Sequence, residues 1–138
     1  MLTNVLKIAT ACLLDDACRL LIVRKRGTRI FMLPGGKIEL GEAPLDALKR
    51  ELHEGLNLEV ETSALQSLGH FQSKAANEPD HWVEADVFMG RLNGAVSAQA
   101  EIEDIAWLDV HAQQQCELAP LLREEVIPAL LQRLIAKS

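Results

Sequence analysis

The sequence predicts a mixed α/β domain in which helices pack on a sheet. Three observations carry this. Apolar runs of strand length fill residues 4–33. Two later segments, 44–54 and 120–136, repeat leucines at helical spacing. The order along the chain is strands, helix, strands, helix.

Residues 4–13, NVLKIATACL, read as a strand. Asp15 and Asp16 mark a turn, and 18–25, CRLLIVRK, reads as the hairpin partner. Residues 26–29 form a loop around Gly27, and 30–33 a short apolar strand. Pro34, Gly35 and Gly36 then make a strong break. Pro44 suits a first helical position, having a fixed φ and no N–H to satisfy. From there to about Glu54, Leu45, Leu48 and Leu52 recur on one buried stripe. Further strands are expected at 58–62, 66–72, 81–91 and 104–109. Residues 120–136 close the chain as an amphipathic helix with Leu121, Leu122, Val126, Leu130, Leu131 and Leu134 on its apolar face.

The 138 residues fit one domain, 1–138, with room for a proper core. With 49% apolar and 25% charged residues, wholesale disorder is excluded. No run approaches the roughly 18 apolar residues needed to cross a bilayer. Residues 1–19 carry Lys7 inside their apolar stretch and lack a signal-peptide layout. A soluble, cytoplasmic protein is therefore expected, with no membrane partner. Cys12, Cys18 and Cys116 form no paired spacing and read as reduced, small core residues.

Fourteen basic and 20 acidic side chains give a net charge of −6, which argues against a nucleic-acid polymer as partner. Eight of the basic residues nevertheless lie between Arg19 and Arg50. Such a region can bind a small anion, or it can guard an edge strand; charge alone weighs the two evenly.

The chemistry concentrates in residues 35–58, GGKIELGEAPLDALKRELHEGLNL. Glu51 and Glu54 are three apart, so they stack on one side of the helix, roughly 100–160° from the leucine stripe. Arg50 stands four residues before Glu54 and can brace it. Helix pattern alone favours a solvated charged face with one ion pair. Two stacked carboxylates also repel without a cation, and hard divalent ions take carboxylate oxygens.

This segment resembles the signature of the Nudix hydrolase family, G-x5-E-x7-R-E-U-x-E-E-x-G-U, where U is aliphatic. Gly36, Glu42, Arg50, Glu51, Leu52, Glu54 and Leu58 match seven of its nine specified positions. The approach FMLPGGKIELGE and the later AEIEDIAWLDV also look like that family, and the resemblance covers roughly residues 5–135. Two positions depart. Gly55 stands where the family has the second Glu of its pair, and Asn57 where it has Gly. Asn tolerates the left-handed conformation, so that change is mild. Gly55 removes an anionic oxygen donor, and can instead end the helix early as a cap.

The resemblance implies a Nudix-type mixed β-sheet sandwiched between α-helices (α/β/α). It implies hydrolysis of the diphosphate linkage in a nucleoside diphosphate linked to another group, with Mg²⁺ or Mn²⁺ as cofactor and a small nucleotide as substrate. On that basis Glu51 and Glu54 are metal ligands, with a Gly35 or Gly36 carbonyl adding another. Glu51 also orients the attacking water or acts as its base. Arg50 and Glu42 hold the loop on the helix. Arg24, Lys25 and Lys37, with Gly35 and Gly36, are the substrate-binding candidates. A further acidic ligand is expected among Glu101, Glu103 and Asp104, with Asp104 first by position and Glu101 second. A homodimer is compatible with the resemblance. The alternative is a catalytically weakened Nudix-fold module that binds a nucleotide or partner; weaker still is a structural protein with a solvated acidic helix face. His53, His70, His81 and His111 show no ligand spacing and read as surface or packing residues. Trp82, Phe88 and Phe71 can stack on a base, with core packing the default.

Overall fold

The computed structural model describes residues 4–92, 95–112 and 116–136. Seven strands form one sheet: β1 (Val5–Leu14), β2 (Leu20–Lys25), β3 (Phe31–Met32), β4 (Gly35–Lys37), β5 (Gln66–Lys74), β6 (Trp82–Arg91) and β7 (Ile102–Leu108). Helix α1 spans Pro44–Leu56 and α2 spans Ile127–Ala136. Along the sheet the order is β3-β2-β1-β6-β5, with β4 paired to β1 and β7 to β2.

β1 is central, and its main partner is β6, parallel from Val5↔Trp82 to Leu14↔Arg91. The expected hairpin reduces to one antiparallel pair, Leu14↔Leu20, because β2 spends its length against β7. The turn itself forms as its residues suggest: Asp15 Oδ1 accepts the N–H groups of Ala17 and Arg19. Cys18 lies in that turn at φ +59 and is exposed, so it is not a core residue. Cys12 is the buried one, its thiol pushed up to about 12 by burial.

Both faces of the sheet are covered. Ala9, Ala11 and Leu13 of β1 and Leu21 and Val23 of β2 pack with Ala47, Leu48, Leu52 and Leu56 of α1. Leu20 and Ile22 of β2 and Val83, Ala85 and Val87 of β6 pack with Leu122, Val126 and Leu130 at the other end of the chain. This double burial explains why 20–23 read as an unbroken apolar run. The architecture is α/β/α. No helix among the described residues is long and apolar enough to cross a membrane.

Three local expectations give way. The break at Pro34–Gly36 is instead the start of β4, which pairs antiparallel with β1 through Thr10↔Gly35, Ala9↔Gly36 and Ile8↔Lys37. A Cβ on Gly35, at φ +143, would overlap the Ala9 carbonyl, so only glycine lets the two backbones come this close. Residues 58–62 form no strand; Leu58 is buried under α1, and a 3₁₀ turn, Thr62–Ala64, leads into β5. The closing helix opens with a π-helical turn, Leu121–Val126, in which the Ile127 N–H bonds the Leu122 carbonyl. Pro128 follows immediately; its ring has no N–H and would crowd the carbonyl four residues back, a conflict the wider turn relieves.

Candidate active site

Arg50 fastens the loop before α1 to the helix. Its Nε donates to Glu42 Oε2 at 3.0 Å and its Nη2 to Glu42 Oε1 at 2.9 Å. Nη2 also donates to the Lys37 carbonyl at 3.1 Å, and the Glu39 N–H donates to Glu42 Oε1 at 3.0 Å. A carboxylate held by a guanidinium fork and a backbone donor favours its charged form. The Glu42 carboxyl is accordingly lowered to about 2, and the Arg50 guanidinium is raised.

The same guanidinium reaches the second acid of the helix. Arg50 Nη1 donates to Glu51 Oε1 at 3.1 Å and lies 3.9 Å from Glu54 Oε1. Glu51 does not face bulk water: its side chain is 21% exposed, against 55% for Glu54. It lies on Gly36, where a Cβ would overlap its carboxylate. Burial raises the Glu51 pKa, Arg50 opposes that rise, and the charges of Glu54 and Glu101 add to it.

Glu51 and Glu54 line a cleft of about 250 Å³ with Gly35, Gly55 and Glu101. Glu101 reaches it because its loop is tied down. The Ser97 N–H bonds the Leu56 carbonyl at 3.1 Å and the Gln99 N–H bonds the Gly55 carbonyl at 2.9 Å. The Arg26 N–H in turn bonds the Glu101 carbonyl at 2.7 Å. Lys25 Nζ lies 3.6 Å from Glu101 Oε1.

Asp104, the first choice by position, does not line this cleft. It pairs with Arg24 across β2 and β7, 3.6 Å from the guanidinium, and one of its oxygens accepts the Ile105 N–H. Glu103 also goes to Arg24, at 3.1 Å. Arg24 is thereby occupied: it donates to the Thr28 carbonyl, lies 5.9 Å from the Phe31 ring centre, and does not line the neighbouring pocket. Gly55 does not cap α1. It sits inside the helix, and Asn57 ends it at φ +52, with its N–H on the His53 carbonyl. A Cβ on Gly55 would meet Ile102 Cγ1 at 3.3 Å, so a side chain there needs only a small shift of Ile102.

A larger pocket of about 350 Å³ shares Gly35 and Glu101 with the cleft. Leu6, Ile8, Val83, Leu121 and Leu122 supply its apolar floor. Lys25, Arg26, Lys37 and Lys74 stand around it, together with Gly36. Of these, Arg26 falls in the basic stretch of the sequence without standing out as a substrate contact, and Lys74 escaped the sequence reading. Arg26 follows Lys25 off the end of β2, which could have pointed to it; Lys74 ends β5, which only tertiary pairing brings here. Trp82, Phe88 and Phe71 do not line this pocket. The four histidines stay outside both cavities.

Among the described residues, no three His, Cys, Asp or Glu side chains are already gathered tightly enough to grip an ion. The donor set around the cleft nonetheless suits a hard divalent cation. It consists of carboxylate oxygens, and their mutual repulsion is part of what raises Glu51.

A family model described as the NUDIX domain matches residues 5–130. An uncharacterized Nudix hydrolase, YvcI of Bacillus subtilis (strain 168), is 26% identical over 115 residues, covering 80% of this chain and 71% of its own. The NUDIX domain of Shewanella oneidensis NrtR, solved in complex with ADP ribose, superposes with a TM-score of 0.76 at 20% identity. That match covers 96% of this chain and 90% of the other. A MutT/nudix family protein from Enterococcus faecalis gives 0.72 at 16% identity over 95% of this chain, which spans 62% of that protein's length. At these identities the structural likeness shows the fold.

Proposed function

Because the chain belongs to the Nudix family, we propose that it is a divalent-metal-dependent pyrophosphohydrolase that cleaves the diphosphate linkage of a nucleoside diphosphate joined to a further group. The observation that supports this most is one juxtaposition. A cleft holding Glu51, Glu54 and Glu101 shares a wall with an apolar-floored pocket ringed by Lys25, Arg26, Lys37 and Lys74. The pocket takes the nucleoside, and its cations draw the phosphates toward the cleft.

Glu51, Glu54 and Glu101, with a Gly35 or Gly36 carbonyl, would hold Mg²⁺ or Mn²⁺. When bound, such an ion neutralises phosphate charge and acidifies a coordinated water. Glu51 orients the attacking water and takes its proton. The water oxygen bonds to phosphorus, the bridging anhydride bond breaks, and its electron pair leaves with the second phosphate. Arg50 and Glu42 stay out of the chemistry; they keep the loop over residues 37–42 closed on the helix.

One observation favours a second reading. Gly55 leaves the cleft without the carboxylate that its family position would supply, and a Nudix-fold module that binds without turnover would look like this. The test is direct. The protein is incubated with Mg²⁺ or Mn²⁺ and a panel of nucleoside triphosphates, dinucleotides and nucleotide sugars, and released phosphate or pyrophosphate is measured. Catalysis requires metal-dependent turnover that falls by about 100-fold or more in Glu51→Gln and rises in Gly55→Glu. Nucleotide binding without turnover, indifferent to metal, assigns the chain to the second reading.

A further inference from the structure

The apolar floor of the 350 Å³ pocket is interrupted by Thr10. Thr10 sits in the middle of β1, its backbone held by Gly35 on one side and Val87 on the other. Alternation along the strand puts its side chain on the pocket face with Leu6 and Ile8. The residue is 4% exposed, and among the described residues Oγ1 has no hydrogen-bond partner. Folding alone gives no reason for this. Valine has nearly the same shape and fits a strand equally well, whereas a dry, unpaired hydroxyl is unfavourable.

We propose that Thr10 determines base specificity: its hydroxyl is the hydrogen-bond partner of a polar edge of the nucleobase held in this pocket. The inference rests on the reading of the pocket as the nucleoside site. Phosphates are poorly suited to this spot, since the cations stand around the pocket and the floor is apolar. A flat base, apolar on its faces and polar at its edge, matches an aliphatic floor that carries the Thr10 hydroxyl; the hydroxyl of Thr28, which also lines the pocket, already donates to the Lys25 carbonyl. The Thr10 hydroxyl both donates and accepts, so a keto, amino or ring-nitrogen edge can use it. The oxygen itself is fully buried, so its contact with a base requires a rotation about Cα–Cβ that turns it toward the pocket.

The experiment compares wild type, Thr10→Val, Thr10→Ser and Ile8→Phe. Measured are kcat/KM on the four ribonucleoside and four deoxyribonucleoside triphosphates with Mg²⁺, monophosphate binding by calorimetry, and melting temperature. Thr10→Val is expected to melt at or above wild type, because it loses an unpaired polar atom and keeps its packing. It should lose about 10-fold or more on the preferred base and bring the four bases within about threefold of each other. Thr10→Ser, which keeps the hydroxyl, should retain the preference. An unchanged base preference in Thr10→Val overturns the proposal, and so does a loss matched by removing the 2′-hydroxyl, since the partner would then be the sugar. Ile8→Phe fills the floor. If it leaves monophosphate binding intact, the pocket reading fails first; if it abolishes binding while Thr10→Val keeps its selectivity, only the role of Thr10 fails.

Discussion

Gly36→Ala separates the two jobs that a glycine can have at this turn. A methyl placed there would lie 2.5 Å from Glu51 Oε1 and 2.7 Å from Oε2. Ordinary contact begins near 3.5 Å, so the carboxylate must move by about 1 Å. It can do so, being the end of a flexible side chain. The cost is a distorted rotamer and a weakened bond from Arg50 Nη1, about 1 kcal/mol in all. That lowers the melting temperature by roughly 3 °C in a chain of this size. Activity should fall much further, since displacing a reacting group by about 1 Å costs on the order of 100-fold. Gly35→Ala is the control. Its methyl would meet the Thr10 Cα at 2.7 Å and overlap the Ala9 carbonyl, and neither backbone atom can swing aside. With left-handed strain added, the loss is at least about 3 kcal/mol, and the variant should melt far below wild type. Thermal melts and metal-dependent hydrolysis are read on both. Full activity in Gly36→Ala, or equal destabilisation of the two variants, would refute the reasoning.

Two further outcomes are expected. Glu101→Gln should lose at least about 10-fold in kcat with Mg²⁺, while Asp104→Asn, whose acid faces Arg24, should stay within about threefold; the reverse order in steady-state rates would remove Glu101 from the cleft's chemistry. The Glu42 carboxyl, lowered from 4.5 to about 2, contributes stability that is complete above about pH 4.5 and lost as pH falls toward 2. Urea midpoints measured from pH 5 down to 2 should therefore fall more steeply in wild type than in Glu42→Gln, and parallel profiles would contradict the assigned clasp.

Much of the site was legible because it is local. Gly36, Glu42, Arg50, Glu51 and Glu54 lie within 19 residues, and one turn of α1 fixes the spacing of the last three. The start of the helix followed from Pro44, but its end did not: the leucine spacing runs to about Glu54 and Gly55 suggests a cap, whereas the helix continues to Leu56 and Asn57 ends it in the left-handed conformation. What the sequence hid was long-range. Alternation says that β1 is a strand, but it does not say that its partner is β6 and that the two run parallel. Glycines that read as a break turned out to permit close strand pairing, because both patterns begin with the absence of a Cβ. Position before Trp107 ranked Asp104 above Glu101. The irregular register at Arg24 and Lys25, invisible from one strand alone, aims Asp104 at Arg24 and leaves Glu101 at the cleft. Lys74 and Thr10 gave no local signal, since a lysine ending a strand and a threonine inside one are both ordinary.

The loop that carries Glu101 hangs from the carbonyls of Gly55 and Leu56, the last residues of α1 before its Asn57 cap. The placement of Glu101 at the cleft is thus inherited from the way one helix terminates. A substitution that frays this end, such as Asn57→Val, would be felt at an acid 44 positions downstream in the sequence, with Glu42, Arg50, Glu51 and Glu54 all still in place. The signature and the acid outside it behave as one mechanical part, and damage at the seam between them would pass for a defect in chemistry.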